Sequence, residues 1–214
     1  MHFEFSTHCS GSQIDSLFAP QRLSLSANCE YYKTCGPEDF SSEPREGCRL
    51  FAHLHVHSEY SLLEASCRVK ALAKKSAEHK APALALTDNG NMFAAIEFYF
   101  ACLDAGVKPL IGLDAYLAFG SRHDKRPEFA FTPKIVLLAK SLEGYRELCR
   151  LSSIGFQEGF YYKPRIDLEV LAKNSSELIA LTGWTQGYLA ESFQREGKDK
   201  ARGRAEGLQA IFGD

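Results

Sequence analysis

A run of alternating histidines is the first candidate for chemistry, in the segment FAHLHVHSEYS. Successive side chains of a strand point to opposite faces, so His53, His55 and His57 are expected to share one face. Imidazole is a frequent ligand of zinc and related ions, and two histidines two residues apart at a strand end can bind one ion. The alternative is a strand edge whose histidines are solvated or hydrogen-bonded in the core, and the pattern alone leaves both open.

Two further segments place polar side chains next to apolar runs. Asp88 and Asn89 directly follow the run ALALT, and Asp114 lies inside PLIGLDAY. Functional side chains gather at strand ends in barrel-like α/β folds, and a buried carboxylate is unfavourable unless it is paired or bound to a metal. Asp-Asn-Gly is also ordinary turn sequence, and Asp114 could face outward near a strand end. All three residues therefore remain candidates.

Short apolar runs alternate with amphipathic segments from residue 51 onward, which predicts an α/β fold with parallel strands. The predicted strands are residues 51–57, 83–87, 107–118, 135–139 and 178–182. The predicted helices are residues 69–80 and 92–105, the segment SLEGYRELCRLSS capped by Ser141, and most of the chain after residue 182. Gly106 is the expected stop of the second helix.

The overall composition limits the class of protein. The 214 residues are 45% hydrophobic, enough for one domain with a core, whereas residues 1–49 show no periodicity and are expected to be a poorly ordered extension or linker. A net charge of -2 does not indicate a dedicated nucleic-acid binder. Seven scattered cysteines form no CxxC pair, which favours a reducing, cytoplasmic setting. No apolar stretch is long enough to span a membrane, so no membrane partner is expected.

Several blocks of the sequence resemble the PHP domain of the bacterial DNA polymerase III alpha subunit. They are HLHVHSEYSLLEA, ALALTDNGN, GVKPLIGLDAY, IVLLAKSLEGYRELCRL and GFYYKPRID, in the family's order. The resemblance covers residues 50–214 and implies a distorted (β/α) barrel of PHP type. We expect the barrel to be incomplete here, truncated before its last strands, and preceded by the irregular N-terminal extension.

The resemblance also implies a site for up to three metal ions, with some ligand positions kept and others changed. The HxH pair matches His55 and His57, while Glu64 stands for an aspartate and Asp114 for a glutamate. Three ligand positions are lost, and the residues found there are Asn89, Lys134 and Trp184. The family's closing Asp-x-His pair would lie beyond residue 214. A competent multinuclear site is therefore not expected.

What remains of the ligand set is expected to be vestigial. Its candidate metal ligands are His55, His57, Glu64 and Asp114. They are expected to hold at most one weakly bound divalent ion, zinc, manganese or magnesium. No catalytic residue is predicted.

By this resemblance, the chain is expected to be the N-terminal PHP domain of a replicative DNA-directed DNA polymerase, a nucleotidyltransferase of DNA replication. Family members with intact ligands can have 3′-5′ exonuclease activity, and those with eroded ligands are structural, as expected here. The expected partners are the remainder of the alpha subunit, DNA through the holoenzyme, and a proofreading subunit. By the same resemblance, the polymerase palm is expected to lie outside this chain.

Two alternatives are a free-standing metal-dependent phosphoesterase and a non-catalytic interaction module. The phosphoesterase would need an intact ligand set, and Asn89, Lys134 and Trp184 argue against it. Nothing in the sequence separates the polymerase domain from the interaction module.

Overall fold

A mixed five-stranded sheet with helices around it organises the part of the chain that the structure, a computed structural model, describes: residues 51–127 and 131–213. The strands are β1 (Ala83–Leu86), β2 (Lys108–Leu117), β3 (Lys134–Ala139), β4 (Arg165–Ile166) and β5 (Leu178–Leu181). The helices are α1 (Val69–Glu78), α2 (Ala95–Asp104), α3 (Leu142–Gln157), α4 (Leu168–Lys173), α5 (Tyr188–Glu196) and α6 (Lys198–Phe212). The extension expected over residues 1–49 lies outside the described residues.

Strand β2 is the centre of the sheet. Its first half pairs in parallel with β1, its second half pairs antiparallel with β3, and its last two residues pair in parallel with β4. Strand β5 continues the sheet, antiparallel to β3. The α/β class is confirmed and the sheet is open, but the expectation of parallel strands is wrong for β3. A parallel return needs a crossover, usually a helix, and no α-helix is described between β2 and β3.

The prediction of a strand over residues 51–57 is also wrong. It runs beside β1 but forms only one isolated bridge, between His53 and Leu84. The backbone N–H of Val56 donates to the Thr87 hydroxyl at 3.0 Å, and Thr87 N–H donates back to the Val56 carbonyl at 2.8 Å. Because a side chain takes the place of a backbone acceptor, the regular ladder ends there.

Helix ends follow local hydrogen bonds. The Ser141 hydroxyl accepts from the Gly144 N–H, as the predicted cap of α3 requires. Helix α2 begins later than predicted, because the Asn91 side chain accepts from the Phe93 N–H and forms a turn first. Sequence reasoning missed β4 and α4, although Asp167 caps α4 by accepting from Val170 N–H. No helix in the described ranges is long and apolar enough to cross a membrane.

The core lies between the sheet and its helices. Its fully buried side chains include Leu84, Phe98, Leu113, Leu117, Ile135, Leu137, Leu148 and Leu151. Strand β2 contributes from its centre to this core, yet the same strand contains the buried Asp114. Strand β2 therefore contributes apolar side chains to the core and also carries one buried carboxylate, that of Asp114.

The turn that follows β1 contains Gly90, and substitution of this glycine tests how tightly the turn packs. Its φ is +65°, its N–H donates to the Asp114 carbonyl at 2.9 Å, and a Cβ there would lie 2.7 Å from Pro164 Cγ and 3.0 Å from the Tyr116 ring. Gly106 has a similar φ of +71° with open space around it. We expect Gly106→Ala to lower the free energy of unfolding by about 1 kcal/mol, and Gly90→Ala by about 1–3 kcal/mol more through steric overlap.

Urea unfolding of both variants and the unmodified chain measures this difference. Equal losses for the two alanine variants would show that the turn does not pack tightly against Pro164 and Tyr116.

Candidate metal centre

Three side chains converge on one point at the C-terminal edge of β1. His55 Nε2 and His57 Nε2 lie 3.1 Å apart, and each lies 3.2 Å from Asp114 Oδ2. The Asp114 side chain is only 2% exposed, whereas those of His55 and His57 are 39% and 22% exposed. The structure thus brings together three of the four predicted ligands, at a point that solvent can reach.

Hydrogen bonding alone cannot satisfy this triangle when both histidines are neutral. A neutral imidazole has one N–H and an ionised carboxylate has none. If both rings donate to Asp114, the two N–H groups of His55 and His57 face each other. If the Nε2–H of one ring donates to Nε2 of the other, the accepting ring has no N–H at that atom. Its contact with the Asp114 carboxylate then joins two lone pairs. At most two of the three contacts can therefore be hydrogen bonds.

A single cation would satisfy all three atoms at once. Ligand atoms about 2.1 Å from one zinc ion lie roughly 3.0–3.4 Å from one another, which matches the triangle. In addition, Asp114 Oδ1 is buried and has no hydrogen-bond partner among the residues that the structure describes. Two imidazoles and one carboxylate are a donor set that suits zinc and other transition metals. The residues present fit one metal ion.

The Asp114 carboxyl is held in its charged form. Burial alone would raise its pKa, but the hydrogen bonds with His55 and His57 and the charge of Lys134 together keep that pKa below its ordinary value. A buried carboxylate of this kind needs positive charge nearby.

Glu64, the fourth predicted ligand, lies in the same cleft but is bound elsewhere. Its Oε2 accepts from Lys134 Nζ at 2.8 Å and from Asn89 Nδ2 at 2.8 Å. Lys134 Nζ also donates to Asn89 Oδ1 at 2.6 Å and lies 3.7 Å from Asp114 Oδ2. Partial burial opposes ionisation of Glu64, but the hydrogen bond from Lys134, then the charges of Lys134 and Lys163, lower its pKa. Its assignment as a metal ligand stays a prediction.

The site opens into a cleft of about 290 Å³. The loop from Gly183 to Gly187 forms one wall, and there Trp184 is 83% exposed. His53, expected on the same face as the other two histidines, does not line this cleft, and its ring packs edge-on against Phe51 at 4.7 Å. The irregular backbone of residues 51–57 accounts for this, because strict alternation of faces requires a regular strand.

Asp88 has the turn role that its sequence left open. Its carboxylate accepts from the Ser58 N–H at 2.7 Å, the Ser58 hydroxyl at 2.7 Å and the Ser61 hydroxyl at 2.6 Å. Asn89 N–H in turn donates to the Ser61 hydroxyl. Asp88 therefore holds the loop that follows His57 against β1. The sequence did not indicate these two serines, since serines one and four residues beyond a histidine form no recognisable motif.

Removal of the Asp88 carboxylate should destabilise the loop that follows His57. Asp88→Ala leaves one buried N–H and two hydroxyls without their acceptor, and we expect it to lower the free energy of unfolding by about 3 kcal/mol. The control Asp104→Ala, at an exposed position, should change it by about 0.5 kcal/mol or less. Urea unfolding compares the two. A loss for Asp88→Ala no larger than that of the control would contradict the anchoring role.

Comparison with known proteins places this geometry in a family. The family model "PHP domain" matches residues 53–214. The DNA polymerase III alpha subunit of Chlamydia trachomatis is 47% identical over 141 residues, covering 65% of this chain and 11% of that protein. The alpha subunit of Deinococcus radiodurans is 40% identical over 187 residues, covering 83% and 14%. That of Thermus aquaticus is 41% identical over 169 residues, covering 77% and 14%.

The chain thus spans about one seventh or less of the length of these relatives. The family model, by contrast, spans well over half of this chain and includes both histidines and the aspartate of the triangle. The chain belongs to the PHP domain family.

Proposed function

We propose that this chain is the PHP domain of a replicative DNA-directed DNA polymerase and that its role there is mainly structural. The assignment to a polymerase is supported by the identity of 40% over 187 residues with a DNA polymerase III alpha subunit. DNA synthesis would belong to other parts of such a subunit. The setting would be DNA replication in the cytoplasm.

The hydrogen-bonded ammonium of Lys134 supports a mainly structural role. Metal-dependent hydrolysis needs a complete set of ligands and an open position for water, and two-metal sites hold their ions about 3.5–4 Å apart. Here the ammonium of Lys134 lies 3.7 Å from Asp114 Oδ2 and is bonded to Glu64, so a second ion would meet a positive charge. The cleft would hold one divalent ion, zinc, manganese or magnesium, through His55, His57 and Asp114.

When bound, that ion would supply Lewis-acid chemistry, but the protein residues around it do little to assist hydrolysis. Asp114, His55 and His57 would coordinate the ion, with the two histidines on the open side of the cleft. Lys134 weakens the binding through repulsion at short range. A weakly held single ion is the expected result.

An activity assay tests the structural role. With Mn²⁺ or Zn²⁺ added, we expect no hydrolysis of a phosphodiester substrate and no 3′-5′ degradation of single-stranded DNA above background. His57→Ala, which removes one corner of the triangle, is the matched control and should give the same rate. Turnover in the unmodified chain that His57→Ala abolishes would refute the structural role.

The proposed partners are the remainder of the alpha subunit, DNA through the assembled polymerase, and a separate proofreading subunit. An immunoblot of the source cells, with an antibody against the peptide EGFYYKPRIDLEV, tests the first of them. We expect a band several times larger than 23.8 kDa, because the curated relatives are much longer than this chain. A sole band near 23.8 kDa would contradict the polymerase assignment.

A further inference from the structure

Lys134 has the surroundings of a metal ion. Its side chain is only 14% exposed, and its Nζ faces three oxygen atoms from three separate segments. Asn89 Oδ1 lies at 2.6 Å, Glu64 Oε2 at 2.8 Å and Asp114 Oδ2 at 3.7 Å. An amide oxygen together with two carboxylates is the type of donor set that binds hard cations such as Mg²⁺ and Mn²⁺.

The cleft therefore contains two adjacent positions for positive charge. The first is the nitrogen-rich triangle of His55, His57 and Asp114, and the second is the all-oxygen position occupied by the ammonium of Lys134. Asp114 Oδ2 is common to both, since it contacts the two histidines and lies within ion-pair distance of Lys134. A carboxylate shared between two cations is a recurring feature of two-metal sites.

The charges in the cleft also support two adjacent positions for positive charge. Glu64 and Asp114 contribute two negative charges, and Lys134 neutralises one of them from inside. Lys163 Nζ lies 3.9 Å from Glu64 Oε1, but its side chain is about half exposed, so water screens it. Without Lys134, the partly buried carboxylates would lack their main internal counter-charge.

We propose that the Lys134 ammonium is a built-in cation that replaces a second, oxygen-coordinated metal ion in this cleft. The half of the site that contains Glu64 and Asn89 is then held together without metal, and only the histidine half can take an ion. This inference rests on the proposed function, because it explains how a PHP site with a changed ligand set stays ordered.

The test compares two substitutions that remove the charge but differ in volume. Lys134→Ala removes the charge and leaves room for an ion, whereas Lys134→Met removes the charge and fills the space. Mn²⁺ binding is counted by electron paramagnetic resonance of the free ion, and thermal unfolding is followed with and without Mn²⁺. The matched control is Lys163→Ala, which removes the exposed lysine next to the same glutamate.

We expect the unmodified chain and Lys163→Ala to bind at most one Mn²⁺. Lys134→Ala should bind two and Lys134→Met only one. In the absence of metal, Lys134→Ala should unfold about 5 °C lower than the unmodified chain, and Mn²⁺ should restore most of that loss. Lys134→Met should show a similar loss that Mn²⁺ restores only in small part.

Simple repulsion by Lys134 predicts a different result. Repulsion alone would give a single Mn²⁺ ion in each variant, bound more tightly than in the unmodified chain, and a single ion in Lys134→Ala would overturn the proposal. Lys134→Ala that fails to fold without metal and recovers in Mn²⁺ would support it. Failure to recover in Mn²⁺ would overturn it, because an ion must be able to do what the ammonium does.

A double variant separates this inference from the proposed function. With His57→Ala added, the histidine triangle is broken, and Lys134→Ala/His57→Ala should still bind one Mn²⁺ through the oxygen position. His57→Ala alone should bind none. Binding of Mn²⁺ by neither variant would refute the built-in cation, whereas turnover in the unmodified chain would refute only the structural role.

Discussion

A single buried carboxylate governs this site. Asp114 lies in the interior of the sheet on β2, is almost entirely excluded from water, and is held ionised. An isolated charge in such a place would be strongly unfavourable, so the surrounding structure has to supply donors and positive charge. His55, His57 and Lys134 all lie around one oxygen of this carboxylate, Oδ2, and they form part of the wall of the cleft.

Strand pairing explains why these groups meet at Asp114. On one edge of β2, the turn after β1 forms a bridge between Asn89 and Asp114, which brings the segment beside β1 with it. On the other edge, antiparallel β3 places Val136 opposite Asp114 and Lys134 opposite Tyr116. Lys134 is thus the diagonal neighbour of Asp114 across the two strands, within reach of a long side chain. The register of two pairings fixes the composition of the site.

Part of the composition of the site could be predicted from the sequence. Alternation along residues 51–57 and the rule against unpaired buried carboxylates were enough to name His55, His57 and Asp114. The same alternation also included His53, because it could not show that the Thr87 hydroxyl would interrupt the ladder. The mixed direction of the strands was not predictable either, since it depends on how the chain returns between β2 and β3, where no α-helix is described. The diagonal contact of Lys134 follows from that direction, and the resemblance alone indicated that this position belongs to the site.

The changed ligand positions are not independent of one another. Asn89 donates to Glu64 and accepts from Lys134, and Lys134 donates to Glu64, so three altered positions form one closed set of hydrogen bonds. A site that merely lost its ligands would leave buried polar groups without partners, which native structures rarely tolerate. Among the described residues of this cleft, the one such atom is Oδ1 of Asp114, the carboxylate whose other oxygen belongs to the triangle. The altered residues therefore form one connected hydrogen-bond network, in which each residue supplies a partner for the other two.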